Sequence, residues 1–245
     1  MAPSNLVFNS TGTFIAVGDQ SLGFIIIWSA IDGSLAAGPF VHESLFCIAY
    51  SPSGESIASA DRGAFTAKIW NIKTGIAQAT ITFSGPCRSI AYSPNETLLV
   101  SCFGRLKNND KSVRTEVAVG ANLGQYSLDG KYAVVGGTNG EVVVQHAGSG
   151  TVAYGPYKIF TGQVVTFVTT MALSPNGKYV TVAEGSGYKF QVLDLLTGKD
   201  VGLMLEHPGN IVRSASFSPD GAFLAYTSIG PGVRICNLLK HGYSM

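Results

Sequence analysis

Six times the chain runs a short apolar stretch into a Ser-Pro-type turn, at residues 7–12, 49–54, 91–96, 125–130, 172–177 and 216–221. The clearest copies read Ala49-Tyr50-Ser51-Pro52-Ser53-Gly54, Ala91-Tyr92-Ser93-Pro94-Asn95-Glu96 and Ala172-Leu173-Ser174-Pro175-Asn176-Gly177. With the large apolar residue as the mark (Phe8, Tyr50, Tyr92, Tyr126, Leu173, Phe217), successive copies are 42, 42, 34, 47 and 44 residues apart. A repeat of this length is one small supersecondary unit that cannot bury its apolar face alone and must pack on its neighbours. Because the repeat runs through all 245 residues, the chain reads as a single domain, 1–245.

Within a unit the periods are those of strands. In the second copy, 45–50 reads as a strand, Ser51-Pro52-Ser53-Gly54 turns the chain, and 56–60 is a second strand ending at the turn Asp61-Arg62-Gly63. A third strand, 65–70, is followed by the turn Asn71-Ile72-Lys73-Thr74-Gly75 and a fourth strand, 76–83. The third strand supplies a second ruler. Phe8 to Trp28, Tyr50 to Trp70 and Leu173 to Leu193 are each 20 residues, and Tyr126 to Gln145 and Phe217 to Cys236 are each 19. A glycine follows five residues later at Gly33, Gly75, Gly150 and Gly198. Four short antiparallel strands per unit, without helical period, predict an all-β fold, a β-propeller of about six four-stranded blades. The blades are expected near 4–40, 45–83, 87–119, 122–160, 168–205 and 211–245, the third and last imperfect.

These residues resemble the WD-repeat (WD40) family in a divergent form, over essentially the whole chain. The likeness rests on the Ser-Pro-Asp/Asn-Gly turns and on third strands ending in Ile27-Trp28, Ile69-Trp70 and Leu193-Asp194. The Thr-Gly and Gly-Pro pieces are also similar to fungal propellers attached to signalling NTPases. The resemblance implies a buried hydrogen-bonded set made of His42, Ser59, Asp61 and Trp70. The first unit keeps Asp19 and Trp28 without the His, and the sixth keeps His207 and Ser228 but has Cys236 in place of Trp. Such a set is structural, since each buried polar group without a partner costs about 1–3 kcal/mol.

Composition limits the function. Apolar residues make up 46% and charged residues 13%, the balance of buried strands rather than disorder. The net charge of +1 disfavours a broad grip on nucleic acid or a membrane surface. Met1-Ala2-Pro3-Ser4 begins no signal peptide and no apolar run is long enough to span a membrane, so cytoplasm or nucleus is the expected location. Cys47, Cys87, Cys102 and Cys236 lack metal spacing and read as buried thiols. Asn9 and Asn95 fit the glycosylation pattern but read as turn residues. There is no Gly-x-Ser-x-Gly elbow, no phosphate loop and no second His after His42-Glu43, so no catalytic residue, metal or cofactor is expected. An enzyme on this scaffold stays the remote alternative.

The third unit is irregular: after strand 98–103 comes the polar 104–111, then a strand-like 113–119, so one strand is expected to be lost. The chain stops soon after 233–239, which leaves ring closure open and blade edges free for a partner strand or an oligomer. In the family, the residue four before each mark points toward one ring opening. The resemblance therefore assigns partner binding to Phe46, Arg88, Asn122, Thr169 and Arg213, with Ser4 at the first position. Arg62 adds to the same face, and Arg105 and Lys107 open a basic loop, 105–114, that is either a solvated filler or a binding insertion. The expected function is a non-catalytic interaction module or scaffold that docks a protein or peptide, acidic or phosphorylated, on its central face. The alternative is a structural fragment completing a larger ring or oligomer through open edges.

Overall fold

The computed structural model describes residues 5–103, 105–108, 115–137, 139–159, 167–184, 190–202, 212–228 and 232–241. Among them, 22 strands form six small sheets, and the chain divides into two compact units, Met1–Gly124 and Gln125–Met245.

In the first unit, β1 (Asn5–Phe8), β2 (Phe14–Asp19), β3 (Phe24–Ser29) and β4 (Leu35–Val41) form the first sheet in chain order. The second contains β5 (Leu45–Tyr50), β6 (Ser56–Asp61), β7 (Thr66–Asn71) and β8 (Ala77–Phe83). Next come β9 (Cys87–Tyr92), β10 (Leu98–Cys102), β11 (Leu106–Asn108) and β12 (Thr115–Val119). Here the chain trades strands: β11 joins the outer edge of β8 as a fifth strand of the second sheet, and β12 returns to pair in parallel with β10. A hairpin cannot join a parallel pair, and the excursion through β11 supplies the crossover.

The fourth sheet is β13 (Ala121–Tyr126), β14 (Tyr132–Gly137), β15 (Glu141–His146) and β16 (Val152–Lys158), and the division between the units falls within β13. The fifth holds β17 (Val168–Leu173), β18 (Tyr179–Glu184) and β19 (Phe190–Asp194). The sixth holds β20 (Val212–Phe217), β21 (Phe223–Ser228) and β22 (Val233–Asn237), followed by a single 3-10 turn, Leu239–His241.

The expected β-propeller of six four-stranded blades is corrected by this topology. The fold is all-β, with six sheets of three to five strands, but only the first and fourth have four, and none is closed into a propeller or barrel. Three local causes are visible. The third sheet loses its outer strand to its neighbour. Among the described residues after β19, only an isolated bridge, Leu193 to Asp200, stands where a fourth strand was expected. After β22 the chain coils into the 3-10 turn instead of extending.

The repeated turn has one physical design. The residue after each mark (Asn9, Ser51, Ser93, Ser127, Ser174, Ser218) accepts on its carbonyl the amide three residues later, at 2.8–3.1 Å. Its side-chain oxygen accepts the amide that starts the next strand, from Phe14, Ser56, Thr97, Tyr132, Tyr179 and Phe223 at 2.9–3.1 Å. The fourth residue of each turn takes φ between +66° and +74°, which glycine adopts without cost and other residues do not. Five of the six are glycine, and the exception is Glu96, whose carboxylate accepts the Ser53 amide of the preceding turn at 2.8 Å. Glu96→Gly and Glu96→Ala both lose that bond, while only alanine keeps the left-handed penalty. Glu96→Gly should therefore be the more stable by about 1 kcal/mol in urea unfolding.

Neighbouring sheets meet through their first strands, β1 against β5, β5 against β9 and β17 against β20. Apolar clusters span these junctions: Ile25, Ile27, Leu45 and Ile48 share one, Ala67, Ile69, Cys87 and Ile90 a second, and Phe190, Val192 and Val212 a third. In the second unit Tyr157 of β16 reaches the turn after β19, donating its hydroxyl toward the carbonyls of Leu195 (3.1 Å) and Leu196 (3.0 Å).

Candidate partner-binding site

First strands carry a repeated irregularity. In the second sheet Leu45 opposes Asp61 and Cys47 opposes Ala60, so Phe46 is an extra residue, a β-bulge. Arg88 lies between Cys87 and Ser89, opposite Cys102 and Ser101. Thr169 lies between Val168 and Thr170, and Arg213 between Val212 and Ser214. Four of the residues picked out by repeat alignment are thus bulge residues. A bulge frees backbone groups from the ladder and re-aims the side chain. The freed carbonyl of Phe46 accepts the side-chain amides of Asn5 (2.7 Å) and Gln20 (2.8 Å).

Around two of these bulges a cluster assembles. The Arg62 guanidinium lies 3.6 Å from the Phe46 ring centroid, and that of Arg88 lies 5.0 Å from the ring of Phe103. Burial, and then the neighbouring charge of Arg88, pull the Arg62 pKa below the usual guanidinium range. Among the described residues the Lys131–Asp129 ion pair and the His42–Asp61 contact involve neither arginine, so neither is neutralised there. The Arg88 Nε is buried and has no hydrogen-bond partner among the described residues. Two cations held on phenyl rings can accept an anionic group.

The other expected residues are dispersed. Asn122 is buried in β13, and Thr169 is half-buried with its hydroxyl donating to Ala183 O at 3.3 Å. Arg213 is exposed on β20 in the second unit. Arg105 and Lys107 are exposed; the Arg105 amide donates to Ser84 Oγ at 2.7 Å, and Lys107 lies in β11. Residues 109–114 of the basic loop, together with Ser4 and His207, lie outside the described residues. Phe103 follows β10 as Arg62 follows β6, and nothing in its spacing sets it beside Arg88.

The four residues of the structural set meet in the second sheet. Trp70 Nε1 donates to Ser59 Oγ (2.8 Å), which lies 2.6 Å from His42 Nδ1, and His42 Nε2 lies 2.9 Å from Asp61 Oδ2. Asp61 also accepts the amides of Phe65 (2.8 Å) and Thr66 (3.1 Å) and the Thr66 hydroxyl. A neutral imidazole with its proton on Nε2 satisfies every member: Ser59 donates to Nδ1 and Nε2–H donates to Asp61. Burial pushes the Asp61 pKa up, but the bonds from His42, Thr66 and Phe65 outweigh it and leave the carboxyl below its usual value. All four side chains are buried, so the set holds the sheet and offers nothing to a ligand.

No group of three or more His, Cys, Asp or Glu among the described residues is placed to hold a metal ion, and no helix there is long and apolar enough to cross a membrane. A pocket of about 180 Å³ in the second unit, walled by Tyr132, Val134, Val144, Tyr154, Leu173 and Leu196, contains none of the expected site residues.

The WD40 family (WD domain, G-beta repeat) matches residues 77–115, from β8 into β12. Periodic tryptophan protein 2 homolog of Dictyostelium discoideum is 22% identical over 239 residues, 97% of this chain and 22% of that protein. The protein of the same name from Neurospora crassa is 39% identical over 59 residues, 24% of this chain and 7% of that protein. The matched regions thus span less than a quarter of the length of either relative. Together these matches make the chain a distant homologue of WD40-repeat proteins.

Proposed function

We propose that the chain is a non-catalytic scaffold module that captures an acidic or phosphorylated segment of a protein partner at Arg62 and Arg88. The observation that carries this reading is the pair of guanidinium groups stacked on Phe46 and Phe103, with no ion-pair partner among the described residues. Stacking holds each planar fork in place before the partner arrives, so less side-chain freedom is lost on binding. Arginine and aromatic residues are also the side chains that most often dominate interface energies. Phe46 and Arg88 sit on bulges, which fixes where they point. Distant homology to WD40-repeat proteins supports an interaction role over a catalytic one.

The test is fluorescence anisotropy against a panel of acidic and phosphorylated peptides, comparing the intact chain with Arg62→Ala/Arg88→Ala. Binding should weaken as salt rises and should fall about tenfold or more in the variant, which should keep its melting temperature. Equal binding by a folded variant would remove this cluster as the docking site.

A further inference from the structure

The pocket in the second unit is walled by the fourth and fifth sheets, at repeat positions that are packed shut elsewhere. Val134, Val144, Tyr154 and Leu173 line it. Their counterparts Ala16, Ile27, Ala37 and Tyr50 share one apolar cluster between the first and second sheets. Ala58, Ile69, Ala79 and Tyr92 do the same between the second and third. The repeat marks differ in one respect: Phe8, Tyr50, Tyr92, Tyr126 and Phe217 are aromatic, and Leu173 is aliphatic. Tyr50, Tyr92 and Phe217 each pack against the apolar cluster beside them. The ring of Tyr154 stands instead with its centroid 5.8 Å from that of Tyr132, which lies 5.4 Å from His146. Beside Leu173 about 180 Å³ stays open.

We infer that this pocket receives the phenyl ring of a phenylalanine side chain presented by a protein partner, where other repeats supply a ring of their own. Its volume is close to that of a cavity of about 150 Å³ that admits benzene, and below the roughly 300–1,000 Å³ of sites for drug-sized molecules. It therefore takes one ring of something larger and not a whole cofactor. Tyr132 and Tyr154 offer that ring tilted aromatic contacts. The polar side chains of the wall are already engaged. Ser127 Oγ donates to Asp129 (2.6 Å) and accepts the Tyr132 amide (3.0 Å). The Tyr132 and Tyr154 hydroxyls bond to each other, and the Lys178 ammonium lies 5.1 Å from the Tyr179 ring centroid. A hydroxyl on the guest would lose water and gain no partner, which favours phenylalanine over tyrosine. Leu196, 64% exposed, and the exposed Lys178 open the pocket to solvent. Tyr157 fixes that rim through the Leu195 and Leu196 carbonyls.

The inference shares with the arginine cluster the premise that the chain docks a protein, but its test leaves Arg62 and Arg88 intact, so either reading can fail alone. The probes are toluene, N-acetyl-phenylalanine amide and N-acetyl-tyrosine amide. Each is titrated into the intact chain while the methyl NMR signals of Val134, Val144, Leu173 and Leu195 are followed. Toluene and the capped phenylalanine should shift these signals saturably, and the capped tyrosine should bind about tenfold more weakly. Leu173→Phe places a ring at the mark, so it should raise Tm and abolish the shifts of Val134, Val144 and Leu195. Val144→Ile installs the residue found at this place in the first two sheets and narrows the pocket. It should weaken toluene binding several-fold, which keeps the test decisive if Leu173→Phe does not fold. Absence of any saturable shift with toluene would overturn the inference, as would shifts that persist unchanged in a folded, narrowed variant. Toluene binding without capped phenylalanine binding would also overturn it, since the occupant would then be a free small molecule. Equal binding of the two capped amino acids would remove phenylalanine as the preferred guest.

Discussion

Asp61→Ala should destabilise the protein by about 3–5 kcal/mol, the effect expected when a buried charged partner is deleted and its donors remain. The substitution strands the His42 Nε2–H, the Thr66 hydroxyl and the amides of Phe65 and Thr66 in a site closed to water. For a chain of this length that is a fall in Tm of roughly 10 °C. The exposed pair Lys131–Asp129, at 3.3 Å, provides the contrast, and Lys131→Ala should change stability by less than about 1 kcal/mol. A pH series gives an independent reading. The folded Asp61 pKa lies below its ordinary value of 3.8, so its ionised form stabilises the fold above that pH. The contribution is lost as pH falls through the folded value. Asp61→Asn should therefore lose less stability than the parent on acidification below about pH 4. Equal acid sensitivity in the two proteins would mean that Asp61 does not hold the set together.

Gly198→Ala should cost about 3 kcal/mol, against about 1 kcal/mol for Gly33→Ala, Gly75→Ala or Gly150→Ala. All four glycines occupy the same place in the repeat and take φ between +65° and +74°, so the backbone penalty is common to them. A Cβ at the first three meets nothing within 4 Å (Gly33, Gly75, Gly150). At Gly198 it would lie 2.1 Å from Cδ1 of Tyr157, inside the ring's own volume. The ring must leave, and with it go the hydroxyl's bonds to the Leu195 and Leu196 carbonyls. A double-mutant cycle isolates this effect: in a Tyr157→Ala background, Gly198→Ala should cost only the backbone part. Additive costs in urea unfolding would show that the clash is relieved some other way.

How much of this could be read from the sequence differs by element. The second sheet was legible almost residue by residue: strands expected at 45–50 and 76–83 form as Leu45–Tyr50 and Ala77–Phe83. The reason is local, since the turn residue Ser51 fixes both ends of its hairpin with its own side chain and backbone. The same arithmetic placed Phe46, Arg88, Thr169 and Arg213 at equivalent positions, without revealing that each is a bulge. A bulge is a relation between two strands, and the count along one strand does not contain it. Leu106–Asn108 was illegible for a similar reason. Its polar surroundings read as loop because it lies on an outer edge, and its pairing with Phe83 and Thr82 depends on which edge is free nearby. The last repeat was expected to be imperfect, but the three strands of the fifth sheet among the described residues were not foreseen, because the turns before them follow the repeat. The company of Arg88 and Phe103 arises from packing between elements and has no spacing to betray it.

The exchange of β11 into the second sheet and the return of β12 beside β10 also bear on the order in which the first unit can assemble. A sheet built from consecutive hairpins closes only short loops, and each can form before its neighbour. Here the third sheet receives its outer strand only after the chain has travelled to the second sheet and back, so β10 waits on a distant edge. Conversely, the edge of β8 is capped by residues that belong, in chain order, to the next repeat. The two sheets are thereby tied into one cooperative folding unit, and opening either exposes the edge of the other. A chain whose repeats would otherwise unzip one at a time is, at this point, clasped.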